Sequence, residues 1–240
     1  MGLLKETTMK NVYKSFFGVL ALLMTLNTEA QYSYASGGAF SFGVQSFPAA
    51  DLQGFFPNSP ELNSVNFSFG GYGYWQFNKW MFGFKGVGIY GNSVSRDNIK
   101  YSAQGGYWSA DFGYKVINRD RFGLYPILGI GFGGLTYTIA NQTSFNAAGF
   151  PPVFNKLDLN WSGAALIDIG VRAEHLFSFK SDGNNKGGGF VGLELGYMMA
   201  LGEGKWEIDQ ASAWPESSSP DFGLNGFYAR LLVGGMGGKN

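Results

Sequence analysis

Hydrophobic and polar residues alternate with a period of two along most of the chain. This alternation is typical of β-strands whose two faces meet different surroundings, because successive side chains point to opposite sides. Eight such runs are separated by turn residues, and together they predict an all-β fold of antiparallel strands. The runs are residues 39–45, 65–77, 80–90, 101–116, 122–137, 157–175, 189–201 and 222–233.

One face of each run is apolar and often aromatic. The fifth run carries Leu128, Ile130 and Phe132 on one face and Gly129 and Gly131 on the other. In the sixth run, a longer set of apolar residues occupies odd-numbered positions, which predicts that their side chains all lie on one face of the strand. That set comprises Leu157, Leu159, Trp161, Ile167, Ile169 and Val171.

The connections between the runs also alternate in length. Short turns are predicted at 78–79 and 118–120, with a somewhat longer one at 179–188, whereas the remaining connections are long and polar. This asymmetry is typical of bacterial outer-membrane barrels, which have short periplasmic turns and long outer loops. Pro126 interrupts the fifth run and predicts a bulge or strand start there, because proline donates no ladder hydrogen bond. The long loops are predicted at 47–64, 91–100, 138–156 and 202–221.

Charged residues within the runs fall on the face opposite the apolar one. Four are basic and four are acidic, so the set is balanced. A lysine or arginine facing lipid at mid-bilayer costs about 2–4 kcal/mol, and charges inside a narrow barrel must be paired. We therefore predict an ion-pair network in the lumen, the alternative being the solvated outer face of a soluble antiparallel barrel or sandwich. The eight residues are Lys85, Asp111, Lys115, Asp168, Arg172, Glu174, Glu194 and Arg230.

Composition narrows the class of protein. Charged residues make up only 14% of the chain and aromatic residues 18%, with 38 glycines, which fits a membrane barrel better than a soluble enzyme or a disordered chain. Seventeen basic residues balance seventeen acidic ones, which argues against a nucleic-acid partner. There is no cysteine, so disulfides and thiol chemistry are excluded.

Residues 1–30 have the pattern of a secretory signal peptide. Lys10 and Lys14 precede an apolar core at 16–26, and Thr28 and Ala30 stand at the −3 and −1 positions of a cleavage site. The core is too short to span a bilayer as a helix. The sequence predicts export and cleavage after Ala30, which leaves 31–240 as the barrel domain. Either Met1 or Met9 could serve as the start, and a buried or amphipathic N-terminal helix is the alternative.

With these strands, turns and interior charges, the chain resembles the small eight-stranded outer-membrane barrels, such as the OmpA transmembrane domain and OmpX-like proteins. The resemblance covers nearly all of 31–240 and rests on pattern rather than on a diagnostic motif. It implies an eight-stranded antiparallel up-and-down transmembrane β-barrel in the bacterial outer membrane. It also implies contact with outer-membrane lipid and insertion by the barrel assembly machinery.

Three local features resemble binding or catalytic motifs, and each has to be weighed against a purely structural role. Gly129, Gly131 and Gly134 match a dinucleotide-binding spacing, yet they lie inside a strand and are better explained as small interior residues beside tyrosines. His175, the one histidine, falls beside a short turn, where an interfacial position is favoured over a catalytic one. Trp206 and Trp214 lie in an acidic loop without EF-hand spacing and are candidate contacts for a partner.

These observations predict a non-enzymatic outer-membrane protein whose lumen is filled and whose outer loops contact a surface protein, a ligand or the environment. No catalytic residue, metal site or cofactor is predicted. A narrow channel or carrier for small or apolar solutes is the alternative. An enzyme that modifies outer-membrane lipid is a third possibility, which the position of His175 argues against.

Overall fold

Eleven β-strands make up the described part of the chain in the computed structural model. The described residues are 34–47, 62, 64–119, 121–141, 156–162, 164–182, 185–202, 204–208 and 223–239. Within them, no helix is long and apolar enough to cross a membrane. The strands are β1 (Tyr34–Ser46), β2 (Val65–Phe77), β3 (Trp80–Arg96), β4 (Ile99–Tyr114), β5 (Ile117–Arg119), β6 (Phe122–Asn141), β7 (Lys156–Ser162), β8 (Ala165–Asp182), β9 (Asn185–Leu201), β10 (Lys205–Ile208) and β11 (Gly226–Lys239).

Eight of these strands form a closed antiparallel barrel. Around the barrel the order is β1, β2, β3, β4, β6, β8, β9 and β11, and each pairs with the next. The ring closes where β1 pairs with β11, from Tyr34 opposite Lys239 to Gln45 opposite Tyr228. The predicted all-β, eight-stranded antiparallel architecture is therefore confirmed. Closure also removes the free edges that an open sheet would leave.

Part of the sheet continues beyond the barrel at the long-loop end. β7 pairs with the outer part of β6, and β10 pairs with β7. β3 and β4 join in a two-residue turn, where Asp97 and Asn98 have positive φ angles of 53° and 63°. We call this part the extension; it comprises 93–104 of β3 and β4, 135–141 of β6, and all of β7 and β10. The prediction of loops at 91–100, 138–156 and 202–221 was wrong at these strands.

The short-turn end also departs from the predicted boundaries. β8 continues to Asp182 and β9 begins at Asn185, so most of the predicted turn at 179–188 is strand. Asn118 pairs with Gly123 in the hairpin of β5 and β6 rather than lying in a turn. Pro126 occupies the stretch of β6 between its pairings with β5 and with β4, which is where its missing donor is tolerated.

A one-residue offset separates β7 from β8 and exchanges their faces. β6 pairs Phe132 with Ala165 of β8 but Leu135 with Trp161 of β7. Because side chains alternate with a period of two, a shift of one residue turns the whole face around. Trp161 is therefore buried inside, whereas Ile169 points outward. The prediction that the apolar residues of 157–161 share a face with those of 167–171 was wrong for this reason.

Candidate functional site

Lys85 lies at the centre of a charged layer inside the barrel. Its ammonium nitrogen lies 3.1 Å from Asp111 Oδ2 and 3.1 Å from Glu194 Oε1, and it also pairs with Asp168. Four strands supply these side chains: Lys85 comes from β3, and the three carboxylates come from β4, β8 and β9. The side chains involved are at most 4% exposed, so one cation binds three carboxylates away from water.

Glu194 joins this cluster to two arginines. Its cross-strand neighbours are Arg172 on β8 and Arg230 on β11. Arg172 Nε donates to Glu194 Oε2 at 2.9 Å, and its Nη2 donates to the same oxygen. Arg230 Nη1 lies 3.6 Å from Glu194 Oε1, and Arg230 Nη2 donates to Gln45 Oε1 at 2.7 Å. Glu194 therefore contacts three cations, which offsets the cost of burying its charge.

Tyrosines surround the charged layer. The Arg172 guanidinium lies 3.8 Å from the centre of the Tyr72 ring, and that of Arg230 lies 4.0 Å from the Tyr228 ring. The Tyr228 hydroxyl donates to Asp168 Oδ1 at 2.6 Å. Cation–π contacts strengthen when they are desolvated, so these rings stabilise the arginines as well as filling space. Sequence reasoning identified the tyrosines as interior but did not assign them these contacts.

Glycines on the inward face make room for the large side chains. A Cβ atom at Gly170 would lie 2.7 Å from the Tyr228 hydroxyl, and one at Gly83 would lie 2.7 Å from Cε2 of Tyr72. Real Cβ atoms do not approach other atoms this closely, so a larger residue at either position would force the tyrosine to move. Gly83 and Gly170 therefore mark two places where a tyrosine crosses the lumen.

All eight charged residues singled out from the sequence are buried, with exposed fractions of 0–5%. Seven of them lie in the cluster around Lys85 and Glu194. Glu174 is at its margin, with Oε1 3.7 Å from Arg172 Nη1. Lys115 lies outside the strands, after β4, and its ammonium stands 5.5 Å from the centre of the Tyr125 ring. Glu174 lies at the same end, opposite Gly123 near the start of β6, so these two members are placed toward the short turns.

Apolar layers lie on both sides of the charged one. Toward the short turns, Met81, Ile127 and Phe190 belong to a buried cluster. Toward the long loops, Tyr137 and Trp161 belong to a second cluster. Side chains therefore occupy the interior at three successive levels, which matches the expectation that eight strands enclose just enough space for side chains.

The outward side of the barrel carries an apolar belt. Trp80 and Tyr90 mark its two ends on β3, and both are exposed. Ten residues at about 3.3 Å each, tilted by about 40°, correspond to roughly 25 Å along the barrel axis. Aromatic rings cluster at the short-turn end, where Trp80 lies 5.0 Å from Phe112 and 4.6 Å from Tyr114 between ring centres.

The polarity of the two faces inverts where the barrel meets the extension. In the barrel part of β4, Trp108 is exposed on the outward face and Asp111 is buried on the inward face. Farther along the same strand, Gln104 is exposed outward, whereas Tyr101 and Ala103 are buried inside. No break in the strand separates the two regions, so the change reflects different surroundings on the outside.

The same inversion occurs on β6. Phe132 is the last large apolar residue on its outward face, and Thr136 and Thr138 follow it on that face. The inward residues change in the opposite sense, from glycines to the buried Leu135 and Tyr137. On both neighbouring strands, the outward face thus changes from apolar to polar at the same level along the barrel.

The remaining sequence features occupy structural positions. Gly129, Gly131 and Gly134 all lie within β6. His175 is on the outward face, with its ring 4.9 Å from that of Phe177. Trp206 is in β10, opposite Trp161, and Trp214 lies outside the described residues. In the described ranges, no group of three or more histidine, aspartate or glutamate side chains could hold a metal ion.

Comparison with known proteins gives similarity at the level of architecture. No protein-family model and no curated protein matches the chain. Among solved structures, Ail of Yersinia pestis is 12% identical, with a TM-score of 0.40 over 86% of this chain and 99% of Ail. A major outer membrane protein of Thermus thermophilus is 8% identical, with a TM-score of 0.42 over 84% and 98% of the two chains. The outer membrane protease OmpT of Escherichia coli is 8% identical, with a TM-score of 0.35 over 90% and 100%. A functional assignment therefore depends on this chain's own residues.

Proposed function

We propose that the chain is an integral protein of a bacterial outer membrane, with a filled lumen and no enzymatic activity. The inversion of polarity along β4 and β6 carries this proposal. Trp108 and Phe132 would be the last outward residues in hydrocarbon, and Gln104 and Thr136 the first in water. A soluble barrel has no reason to reverse its faces halfway along a continuous strand.

The apolar belt supports the same conclusion. Its height of roughly 25 Å equals that of the lipid-facing band of outer-membrane barrels. In this orientation the short turns are periplasmic, and the extension stands outside the cell. The unpaired backbone groups of an open sheet are not tolerated in hydrocarbon, and the closed ring satisfies that condition.

The lumen supports a role as an anchor rather than as a channel. Lys85, Arg172 and Arg230 bind carboxylates that converge on them from several strands, and apolar clusters lie on both sides of this layer. An ion would have to displace several buried charge pairs to pass. The barrel then serves to hold the extension, in which Trp206 lies on β10, and the outer loops predicted from the sequence, which include Trp214. A surface partner would bind at this end.

Two measurements on the refolded protein test this function. Unboiled protein should run faster than boiled protein on a denaturing gel, because a closed barrel in detergent resists unfolding. In planar bilayers the same preparation should give no steady conductance steps. Regular steps from folded, heat-modifiable protein would contradict the filled lumen and would favour the narrow-channel alternative.

A further inference from the structure

A groove runs along the outside of the apolar belt, and glycines that point away from the lumen form its floor. From one glycine pair to the next, the floor goes two residues along a strand and one strand across it. Because the strands tilt by about 40°, the sideways displacements of these two moves nearly cancel, so the groove follows the barrel axis for about 20 Å. We call it the belt groove; its floor consists of the cross-strand pairs of Gly38 with Gly73, Gly71 with Gly86, and Gly88 with Gly106.

Exposed aromatic side chains form the two walls of the belt groove. On the long-loop side, Phe69 of β2 and Tyr90 of β3 have ring centres 6.5 Å apart. On the short-turn side, Trp75 and Phe84 have ring centres 6.2 Å apart. These four side chains are between 45% and 56% exposed, and Phe40, which continues the first wall on β1, is 73% exposed. The walls therefore project well above the glycine floor.

Packing inside the chain does not require the glycines of this floor. A Cβ atom at Gly71, Gly73 or Gly86 would meet nothing within 4 Å, whereas one at the inward Gly83 or Gly170 would strike a tyrosine. Glycine weakens the interior of a strand, and it often marks a site where another backbone approaches closely. The open space in front of these three positions therefore indicates room for a neighbouring molecule.

The groove lies on one side of the belt. β8 is four strands away from β2 around the ring, and its outward face carries Ile167, Ile169 and Val171. On β6 from 122 to 132 and on β8 from 165 to 177, none of the described outward positions is glycine. The belt meets lipid through larger side chains there, so lipid contact alone does not account for the glycines on β1 to β4.

We propose that the belt groove is the interface of a homodimer within the membrane, with a second copy of this chain as its occupant. This inference rests on the proposed outer-membrane location. Two copies inserted in the same direction are related by a two-fold axis parallel to the barrel axis, so equivalent residues lie at equal heights. The wall of Phe40, Phe69 and Tyr90 on one copy then lies against the glycine floor of the other, and the reverse contact is identical.

The dimensions of the belt groove suit a specific dimer. The floor and its two walls cover about 20 Å by about 25 Å, or about 500 Å² on each copy. The total of about 1,000 Å² reaches the size that a specific protein interface requires. A space of about 410 Å³ beside Ser36, Gly73, Trp75 and Phe84 gives room for side chains of the second copy.

Close approach of the two barrels supplies the binding energy of this dimer. Inside a membrane, association depends on van der Waals packing and on the release of lipid, and small residues at the interface let the backbones come near each other. The exposed Phe40 ring of one copy makes such contacts with the glycine floor of the other. A leucine or phenylalanine in place of the floor glycines would hold the two barrels apart.

Cysteine cross-linking in lipid vesicles tests this inference, because the chain has no cysteine of its own. Gly71 lies on the groove floor next to the wall residue Phe69, where the two copies would meet around the two-fold axis. Ile169 lies in the belt on the opposite side of the ring. Under mild oxidation, G71C should form a disulfide-linked dimer about tenfold faster than I169C, since a dimer holds the two thiols at a high effective concentration.

A variant with a filled groove provides the second measurement. G73L/G86L adds side chains where a Cβ atom has free space, so the barrel should still fold and remain heat-modifiable on a gel. Combined with G71C, it should slow the cross-linking to the rate of I169C. The matched control I169F/V171F adds bulk on the opposite side of the belt and should leave the cross-linking of G71C unchanged.

Equal cross-linking rates of G71C and I169C would overturn the dimer, as would fast cross-linking of G71C that persists in G73L/G86L. Lipid chains would be the occupant instead if G71C cross-linked slowly and reacted with a membrane-dissolved thiol probe as readily as I169C. The same probe separates this inference from the proposed location. Failure of I169C to react with it contradicts the outer-membrane location, whereas reaction of I169C together with slow cross-linking of G71C contradicts the dimer alone.

Discussion

Arg172 and Glu194 face each other across β8 and β9, and their side chains meet in the lumen with Nε 2.9 Å from Oε2. The other face of the guanidinium stacks on Tyr72, which comes from the far side of the barrel. This pair and Tyr72 thereby connect the adjacent strands β8 and β9 to β2 on the opposite side of the ring. It also shows how buried charges on neighbouring strands neutralise one another in a narrow barrel.

Substitution of Arg172 by alanine should destabilise the barrel strongly. R172A leaves Glu194 and Glu174 buried with fewer cations, and breaking a buried pair costs about 3–5 kcal/mol. Urea unfolding of the protein in lipid vesicles measures this loss. The lipid-facing neighbour provides the control, since V171A removes two methyl groups and no charge and should cost far less.

A compensating change distinguishes lost pairing from lost packing. R172M/E194Q removes both charges and should recover part of the stability lost in R172A, because no charge is then left without its partner. If R172A were as stable as the unmodified chain, the interior face would be hydrated, and the filled lumen would be contradicted.

Inward and outward glycines should respond differently to alanine. G170A places a Cβ atom 2.7 Å from the Tyr228 hydroxyl, which is itself bonded to Asp168. Overpacking of this kind costs about 1–3 kcal/mol. G73A is the matched control, because a Cβ atom there meets nothing within 4 Å. Thermal unfolding of the two variants in one detergent compares them, and equal transition temperatures would show that the interior is loosely packed.

Much of the barrel could be predicted from the sequence because a period of two assigns each residue to a face. The bounds of β2, Val65–Phe77, agree with the prediction, and so does the inward position of Arg230. The physical reason is that outward positions in a barrel of this kind require apolar side chains, whereas inward positions carry small residues or charges that can pair. Successive residues therefore differ in polarity. What the pattern could not supply was the choice of partners, since the binding of Lys85 to three strands depends on the register around the ring.

The extension was missed for a different reason. A strand that faces water carries polar residues on its outward side, and loops are polar too. The segments around Ser93 and Thr138 were therefore predicted as loops although they are strands. The offset between β7 and β8 also left no trace in the sequence pattern, since a single extra residue leaves the alternation on each side intact while exchanging the faces. Sequence parity placed Leu159 in lipid, and the structure places it inside the extension.

Cysteine substitution at two adjacent positions of β7 tests this exchange of faces. The chain contains no cysteine, so a single introduced thiol has no background. N160C should react quickly with a charged aqueous thiol reagent, because Asn160 shares the outward face of the extension with Thr136. L159C should be protected in the folded protein, since Leu159 is 1% exposed. If L159C reacted faster than N160C, the face predicted for Leu159 from the sequence would be right, and there would be no one-residue offset between β7 and β8.

The outward face of β6 offers the most direct measurement of the central claim, that the inversion of polarity marks the membrane surface. Single cysteines at 128, 130, 132, 136 and 138 are introduced one at a time, and the protein is refolded into vesicles. The first three should react with a membrane-dissolved thiol probe and resist a charged reagent, whereas the last two should react with the charged reagent. The boundary should fall between 132 and 136. Uniform reaction of all five with the charged reagent would place the whole strand in water and contradict the membrane barrel.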